Sequence, residues 1–176
     1  IFYVDDVRFV QKFNWVMNIS RFIDGGFVYG AVWLEKYCDA TNSNPKLHTG
    51  NDYSDGANVN FGTSVYSASR GIVRDVLIQD GWGQAVIVQH ESGLTTSYLH
   101  LDTISVSKGS EIKRGALLGK TTSLDSGSHL HFGIRTADYD LTFSQKGALF
   151  KNVCSTDDKV FSNYFIDSER MDWNPK

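Results

Sequence analysis

The sequence predicts a mainly β fold, an all-β sandwich or barrel, on three observations. Short apolar runs recur at regular spacing from Gly62 to Ile134. Glycine-containing turns separate them, at Asp80-Gly81-Trp82-Gly83, Glu91-Ser92-Gly93, Ser107-Lys108-Gly109 and Arg114-Gly115. Residues 94–101 and 129–134 alternate with the two-residue period of a strand. The chain has 176 residues, of which 41% are hydrophobic and 21% charged, so it is globular and long enough to bury the core of one ordinary domain.

Taken in order, residues 1–40 admit two readings. Phe9, Phe13, Val16 and Met17 follow a helical period behind Asp5 and Asp6, whereas Phe13, Trp15, Met17 and Ile19 alternate like a strand. Gly25-Gly26 interrupts either, and Phe27–Leu34 reads as a short strand. Asp39–Lys46 is a polar loop, and His48-Thr49-Gly50-Asn51-Asp52 continues as a loop in which a bend at Gly50 would let His48 and Asp52 face one point. Val65–Ala68, Ile72–Val76, Ala85–His90 and Leu94–Leu101 then read as strands. In the last of these, Thr96, Tyr98 and His100 are expected on one face and Leu99 and Leu101 on the other. Leu117-Leu118-Gly119 follows, and a loop at Ser123–Gly127 leads into Ser128-His129-Leu130-His131-Phe132. There, His129 and His131 share one face, while Leu130, Phe132 and Ile134 supply an apolar face for the core.

Composition narrows the function classes. A net charge of −3 gives no electrostatic reason to expect nucleic acid or an anionic membrane as partner. No apolar run reaches the length of a membrane-spanning helix. The chain begins at Ile1 and lacks a charged stretch followed by an apolar one, so a mature form without signal or pro-segment is expected. Cys38 and Cys154 form no C-x-x-C unit, which argues against a thiolate zinc site; one bridge and two separate thiols both remain open.

The chemistry-bearing candidates are His48, Asp52, His100, His129 and His131. The fifth histidine, His90, stands at a strand end and reads as structural. A catalytic zinc site takes three ligands from histidine and carboxylate and keeps one position for water, so two histidines and an aspartate suffice. Coordination brings the pKa of that water from 15.7 to about 7. Two further histidines, with unperturbed pKa values of about 6.5, are suited to act as general base and acid or to stabilise an oxyanion. Such a set hydrolyses amides without a serine or cysteine nucleophile.

Several spaced motifs carry a resemblance. His48-x-Gly50-x-Asp52, Gly62-Thr63-Ser64-Val65 with Gly71-Ile72-Val73, Trp82-Gly83-x-x-Val86-Ile87-Val88-x-His90, Tyr98-Leu99-His100-Leu101, Val106-x-x-Gly109-x-x-Ile112-x-x-Gly115-x-Leu117-x-Gly119 and Ser126-Gly127-Ser128-His129-Leu130-His131-Phe132 stand in one order. Over about half of the chain they resemble the lysostaphin-type, LytM-like zinc endopeptidases that cut peptide links in bacterial cell walls. The resemblance implies an antiparallel β core with a groove formed by loops. It implies Zn²⁺ bound by His48, Asp52 and His131, with His100 and His129 as catalytic histidines beside the ion, either of which could take the proton. It further implies peptidoglycan peptide as substrate and a secreted or periplasmic location, and a monomer is expected. The core is expected at 46–134, with 1–45 as an N-terminal extension packed on it and 135–176 as a C-terminal extension of the same domain. The cysteine-bearing C-terminal tail resembles the staphylolytic and beta-lytic branch.

The sequence also departs from that pattern. Ser128 and Ser64 replace usual prolines, which alters loop rigidity without removing a ligand. Many relatives carry a tyrosine shortly before the first histidine, whereas Tyr37 stands eleven residues upstream of His48. The aromatic residues of 135–176, among them Tyr139, Phe143, Phe150 and Trp173, form either an extra packing layer or a wall of the groove. Two functions of different class follow: a metallo-endopeptidase acting on peptidoglycan cross-links or on a glycine-rich protein such as elastin, and a non-catalytic module that binds wall peptide or a partner enzyme. Retention of all five residues favours the enzyme. A purely structural zinc fits the mixed histidine and aspartate set poorly, since closed structural sites mostly use thiolates.

Overall fold

The structure is a computed structural model that describes residues 50–54 and 61–135, apart from 80, 82, 92, 125 and 126, together with the backbone of short strands elsewhere. The strands are β1 (Phe2–Val4), β2 (Val7–Phe9), β3 (Val28–Tyr29), β4 (Lys36–Tyr37), β5 (Lys46–Leu47), β6 (Asn51–Ser54), β7 (Ser64–Tyr66), β8 (Gly71–Gln79), β9 (Gly83–Gln89), β10 (Thr95–Ile104), β11 (Glu111–Ile112), β12 (Leu117–Thr121), β13 (Leu130–Arg135), β14 (Val153–Cys154) and β15 (Phe165–Ile166). The described residues contain no helix, and all strand pairings are antiparallel. The mainly antiparallel β fold expected from the sequence is the one observed.

Ten strands form one sheet, in the order β11-β8-β9-β10-β13-β6-β3, with β12 bridging β10 and β7 and with β15 on β13. The hairpin β8–β9 closes between Gln79 and Gly83, where the turn cluster Asp80–Gly83 was expected. The continuous apolar run Ala85-Val86-Ile87-Val88 is buried throughout, as befits a strand covered on both faces. One face supplies the main core: Tyr53, Val86, Val88, Tyr98, Leu101, Leu118, Leu130, Phe132 and Ile134 pack together. Phe132 anchors it, with ring contacts to Tyr98 at 5.3 Å and Tyr53 at 6.4 Å. Burying a side chain of this size contributes roughly 1.5–3 kcal/mol. Leu130, Phe132 and Ile134 therefore form the core face that alternation predicted for β13.

Strand β10 departs from its expected alternation. Against β9, Tyr98 pairs with Val86 and Leu101 with Gln84, so β10 carries one extra residue between these points. Its other edge changes partner at the same place: Thr95–Leu99 pair with β13, whereas Leu101–Ile104 pair with β12. The bulge shifts the alternation by one. Leu101 joins Tyr98 in the core, rather than sharing the face of Leu99, and His100 leaves the face of Tyr98.

Of the N-terminal expectations, only short strands lie within the described residues. Phe13, Val16 and Met17, the polar loop at Asp39–Pro45 and most of Phe27–Leu34 lie outside them. So do Cys38 and the aromatic residues from Tyr139 to Phe150, and of Tyr37 and Cys154 only the backbone is described.

Candidate functional site

The site forms where β6, β10 and β13 meet on the face opposite the main core. Asp52 was expected on a loop; instead it lies on β6, directly opposite His131 in the antiparallel register. Asn-Asp-Tyr-Ser carries no apolar alternation, and pairing with β13 and β3 is what makes it a strand. Directly opposed residues project from the same face, so Asp52 and His131 are brought together by the register itself.

Gly50 stands at the expected bend, and it also permits that register through close approach. A Cβ at this position would stand 2.3 Å from the Phe132 carbonyl oxygen and 2.9 Å from His131 Nε2. Only a residue without a side chain allows the segment leading into β6 to lie this close to β13.

The two histidines of the H-x-H pair arrive differently. His131 lies within β13 and is buried, with its Nδ1 3.1 Å from Asp52 Oδ1. His129 precedes the strand, which begins at Leu130. Its Nδ1 is 3.0 Å from the Gly127 carbonyl and its Nε2 is 3.6 Å from Asp52 Oδ2. A carbonyl can only accept, so His129 Nδ1 carries the hydrogen and donates it; in the neutral ring, Nε2 then holds the free lone pair on the side of Asp52. One aspartate thus touches both histidines through its two oxygens.

His100 completes the cluster from β10. Its ring lies 4.7 Å from that of His129 and 6.2 Å from that of His131, both edge-to-face. It has φ of 66°, and among the described residues it is the only non-glycine in the left-handed region. Such a conformation costs about 1–3 kcal/mol and persists where the surroundings enforce it. Here the bulge, the change of partner strand and a hydrogen bond from Thr122 N–H to the His100 carbonyl at 2.8 Å enforce it. On the far side, Gly83 makes room, since a Cβ there would sit 2.7 Å from the Leu101 carbonyl oxygen. Sequence alternation alone would have placed His100 in the core beside Tyr98; the bulge turns it towards His129 and His131. The glycine-rich flanks of β9 and β12 were the only sequence signal of that irregularity.

The fifth histidine is elsewhere. His90 is buried at the end of β9, with Nδ1 2.7 Å from the Arg70 carbonyl and Nε2 2.8 Å from Thr96 Oγ1. Burial is the larger influence on its pKa and lowers it to about 4, against the bond to Arg70, so the ring is neutral.

The donor set suits a zinc ion in type and spacing. Bonds of about 2.0–2.2 Å in a tetrahedral site separate neighbouring ligand atoms by roughly 3.3–3.6 Å, close to the 3.1 Å between Asp52 Oδ1 and His131 Nδ1. Among the described residues no three such groups form a complete metal cage, and His48, the remaining candidate ligand, lies outside them.

The chain is also similar to known proteins in sequence and fold. Over 90 residues, 49% of this chain, the sequence is 40% identical to the peptidoglycan DD-endopeptidase ShyB of Vibrio cholerae. The match spans about a fifth of that relative's length (20%). Among solved structures, a zinc-containing peptidase from Vibrio cholerae superposes with a TM-score of 0.50 at 31% identity, covering 70% of this chain and 36% of the other. The catalytic domain of lysostaphin from Staphylococcus simulans shares the fold, with a TM-score of 0.53 at 20% identity over 78% of this chain and 86% of that domain. Residues 46–143, which carry Asp52, the bulged His100 and the H-x-H pair, match peptidase family M23, and the chain belongs to that family.

Proposed function

We propose that this chain is a zinc-dependent endopeptidase that hydrolyses peptide bonds in peptidoglycan cross-links, outside the cytoplasm. The observation that carries the reading is the contact of Asp52 with both His131 and His129 while His100 closes the cluster. The catalytic core is assigned to residues 46–134, with 1–45 and 135–176 as extensions of the same domain. Support also comes from the kinship with ShyB and with the zinc-containing Vibrio peptidase.

Asp52 and His131, together with His48, would hold the ion. When bound, zinc supplies Lewis acidity, polarising a substrate carbonyl and acidifying water. His129 acts as the general base: its Nδ1–H is committed to Gly127, so Nε2 accepts the proton. The imidazolium formed then lies beside Asp52 Oδ2, which stabilises the new charge. His100, against the His129 ring, donates a hydrogen bond to the oxyanion, and the proton taken up by His129 is then passed to the departing amine. Burial of Asp52 and His131 and near-burial of His100 limit competing water and strengthen each of these interactions.

The test is release of new amino termini from purified peptidoglycan, with and without a chelator, on protein whose zinc is counted by mass spectrometry. One zinc per chain with chelator-sensitive release is the expected result, and the new termini identify the bond. Bound zinc without release from several wall types would transfer the assignment to a wall-peptide-binding module. Protein without zinc after loading would refute the ligand set.

A further inference from the structure

A second buried polar system lies on the opposite face of β10 from the site, and its members were no part of the chemistry above. The Tyr98 hydroxyl accepts from the Ala68 N–H at 2.8 Å and lies 3.2 Å from Thr96 Oγ1, which in turn lies 2.8 Å from His90 Nε2. Ala68, Tyr98, Thr96 and His90 are all buried. The two ends decide the direction. The Arg70 carbonyl can only accept, so His90 Nδ1 carries the hydrogen, and Nε2 of this neutral ring must accept the Thr96 hydroxyl hydrogen. Thr96 Oγ1 is then left to accept from Tyr98, while the Ala68 N–H can only donate to the Tyr98 oxygen. Ser67, beside the Tyr98 hydroxyl, gives its own hydrogen to the Ser69 carbonyl at 2.6 Å. The chain of bonds runs from the β7–β8 connection through β10 to the end of β9.

This chain ends on the residue from which the bulge departs. Tyr98 is the last residue of β10 in regular register with β9, and His100 follows two positions later in the left-handed region. The Tyr98 ring also packs on Phe132, the neighbour of His131 in β13. One side chain is therefore fixed by its hydroxyl to the far end of the sheet and by its ring to the strand that bears His131.

We infer that Tyr98, locked by Thr96 and His90, is a positioning residue that holds the bulge of β10 and so sets where the His100 imidazole stands relative to His129 and His131. The inference rests on the proposed hydrolytic role of His100 for its catalytic consequence, and on geometry alone for the placement of the ring. Tyr98→Phe removes only the oxygen. Thr96→Val breaks the chain one link further on, Thr96→Ser keeps the hydroxyl, and Val73→Ala, in the same core but outside the chain, measures the effect of lost packing alone.

The first readout is the set of imidazole nitrogen and carbon-bound proton resonances of the zinc-loaded protein at one fixed pH. Tyr98→Phe and Thr96→Val should displace the His100 ring signals while His90, held at Nδ1 by the Arg70 carbonyl, keeps its tautomer, whereas Thr96→Ser and Val73→Ala leave His100 in place. The second is the division between kcat and KM on wall peptide. Tyr98→Phe should lower kcat by between about ten- and a hundredfold, the scale of a small misplacement of a catalytic group, with KM and zinc content unchanged. Unchanged His100 signals in Tyr98→Phe, or an equal displacement in Val73→Ala, would overturn the inference. A wild-type protein without hydrolytic activity would defeat the functional reading while the resonance test still decides the positioning.

Discussion

The two faces of β10 and β13 are built by different rules. On the core face, Tyr98, Leu101, Leu130, Phe132 and Ile134 are apolar in the main and interlock. The elements there follow from alternation and from the area each side chain withdraws from water. On the site face, each group owes its position to an exception: Asp52 to a strand without apolar pattern, its register to a glycine that touches the Phe132 carbonyl, His100 to a bulge and a left-handed residue, and His129 to a loop carbonyl that holds its Nδ1. The comparison teaches that the regular face stores the stability and the irregular face spends some of it to aim four polar groups at one point.

The contrast can be broken most severely at His131. His131→Ala should reduce zinc from one per chain to near none and abolish hydrolysis, while circular dichroism stays β-like; retained zinc would show that His131 is no ligand. At His129 the expected outcome is different in kind. His129→Ala should lose about 10²- to 10⁴-fold in kcat, the usual contribution of a general base, yet keep most of the zinc. Metal loss in that variant would mean that the roles of the two histidines are exchanged.

On the core side, His90 sharpens the comparison through pH. Its folded pKa is lowered to about 4 from 6.5, so between these values the unfolded chain binds more protons than the folded one. Stability from this group is therefore complete above about pH 6.5 and is lost as pH falls towards 4, by on the order of 3 kcal/mol. The nearby Arg70–Glu91 ion pair is exposed and contributes little. Chemical denaturation across this pH range, in the wild type and in His90→Gln, checks it: a variant with the same slope would remove His90 as the source.

The smallest expected effect lies at the seam between the faces. Gly50→Ala places a methyl against backbone and should cost about 1–3 kcal/mol of stability, together with weakened zinc retention as β6 shifts from β13. An unaltered melting temperature and zinc affinity would show that the close approach is not needed.

Much of this was legible from sequence because period-2 patterning and glycine turns report local geometry. The strands β7 to β10 and β13 and the core face of β13 could be read in that way, whereas His129, expected on the strand beside His131, stands just before it. His100 could be identified as a candidate but not oriented, because an added residue in a ladder depends on which strands lie alongside. Asp52 could be named and was placed on a loop, since Asn-Asp-Tyr-Ser has no strand signature of its own. His90 was read as structural; that its ring closes a directed chain through Thr96 and Tyr98 required knowing that β7, β9 and β10 converge.

By itself, the sequence determined the fold class and the identities of the groups available for chemistry, because hydrophobic periodicity and residue type are properties of short stretches. Only the tertiary structure decided which of those groups meet. The register of β6 on β13 and the exchange of β13 for β12 along β10 are set by hydrogen bonds between segments up to about eighty positions apart, and no local pattern carries that information.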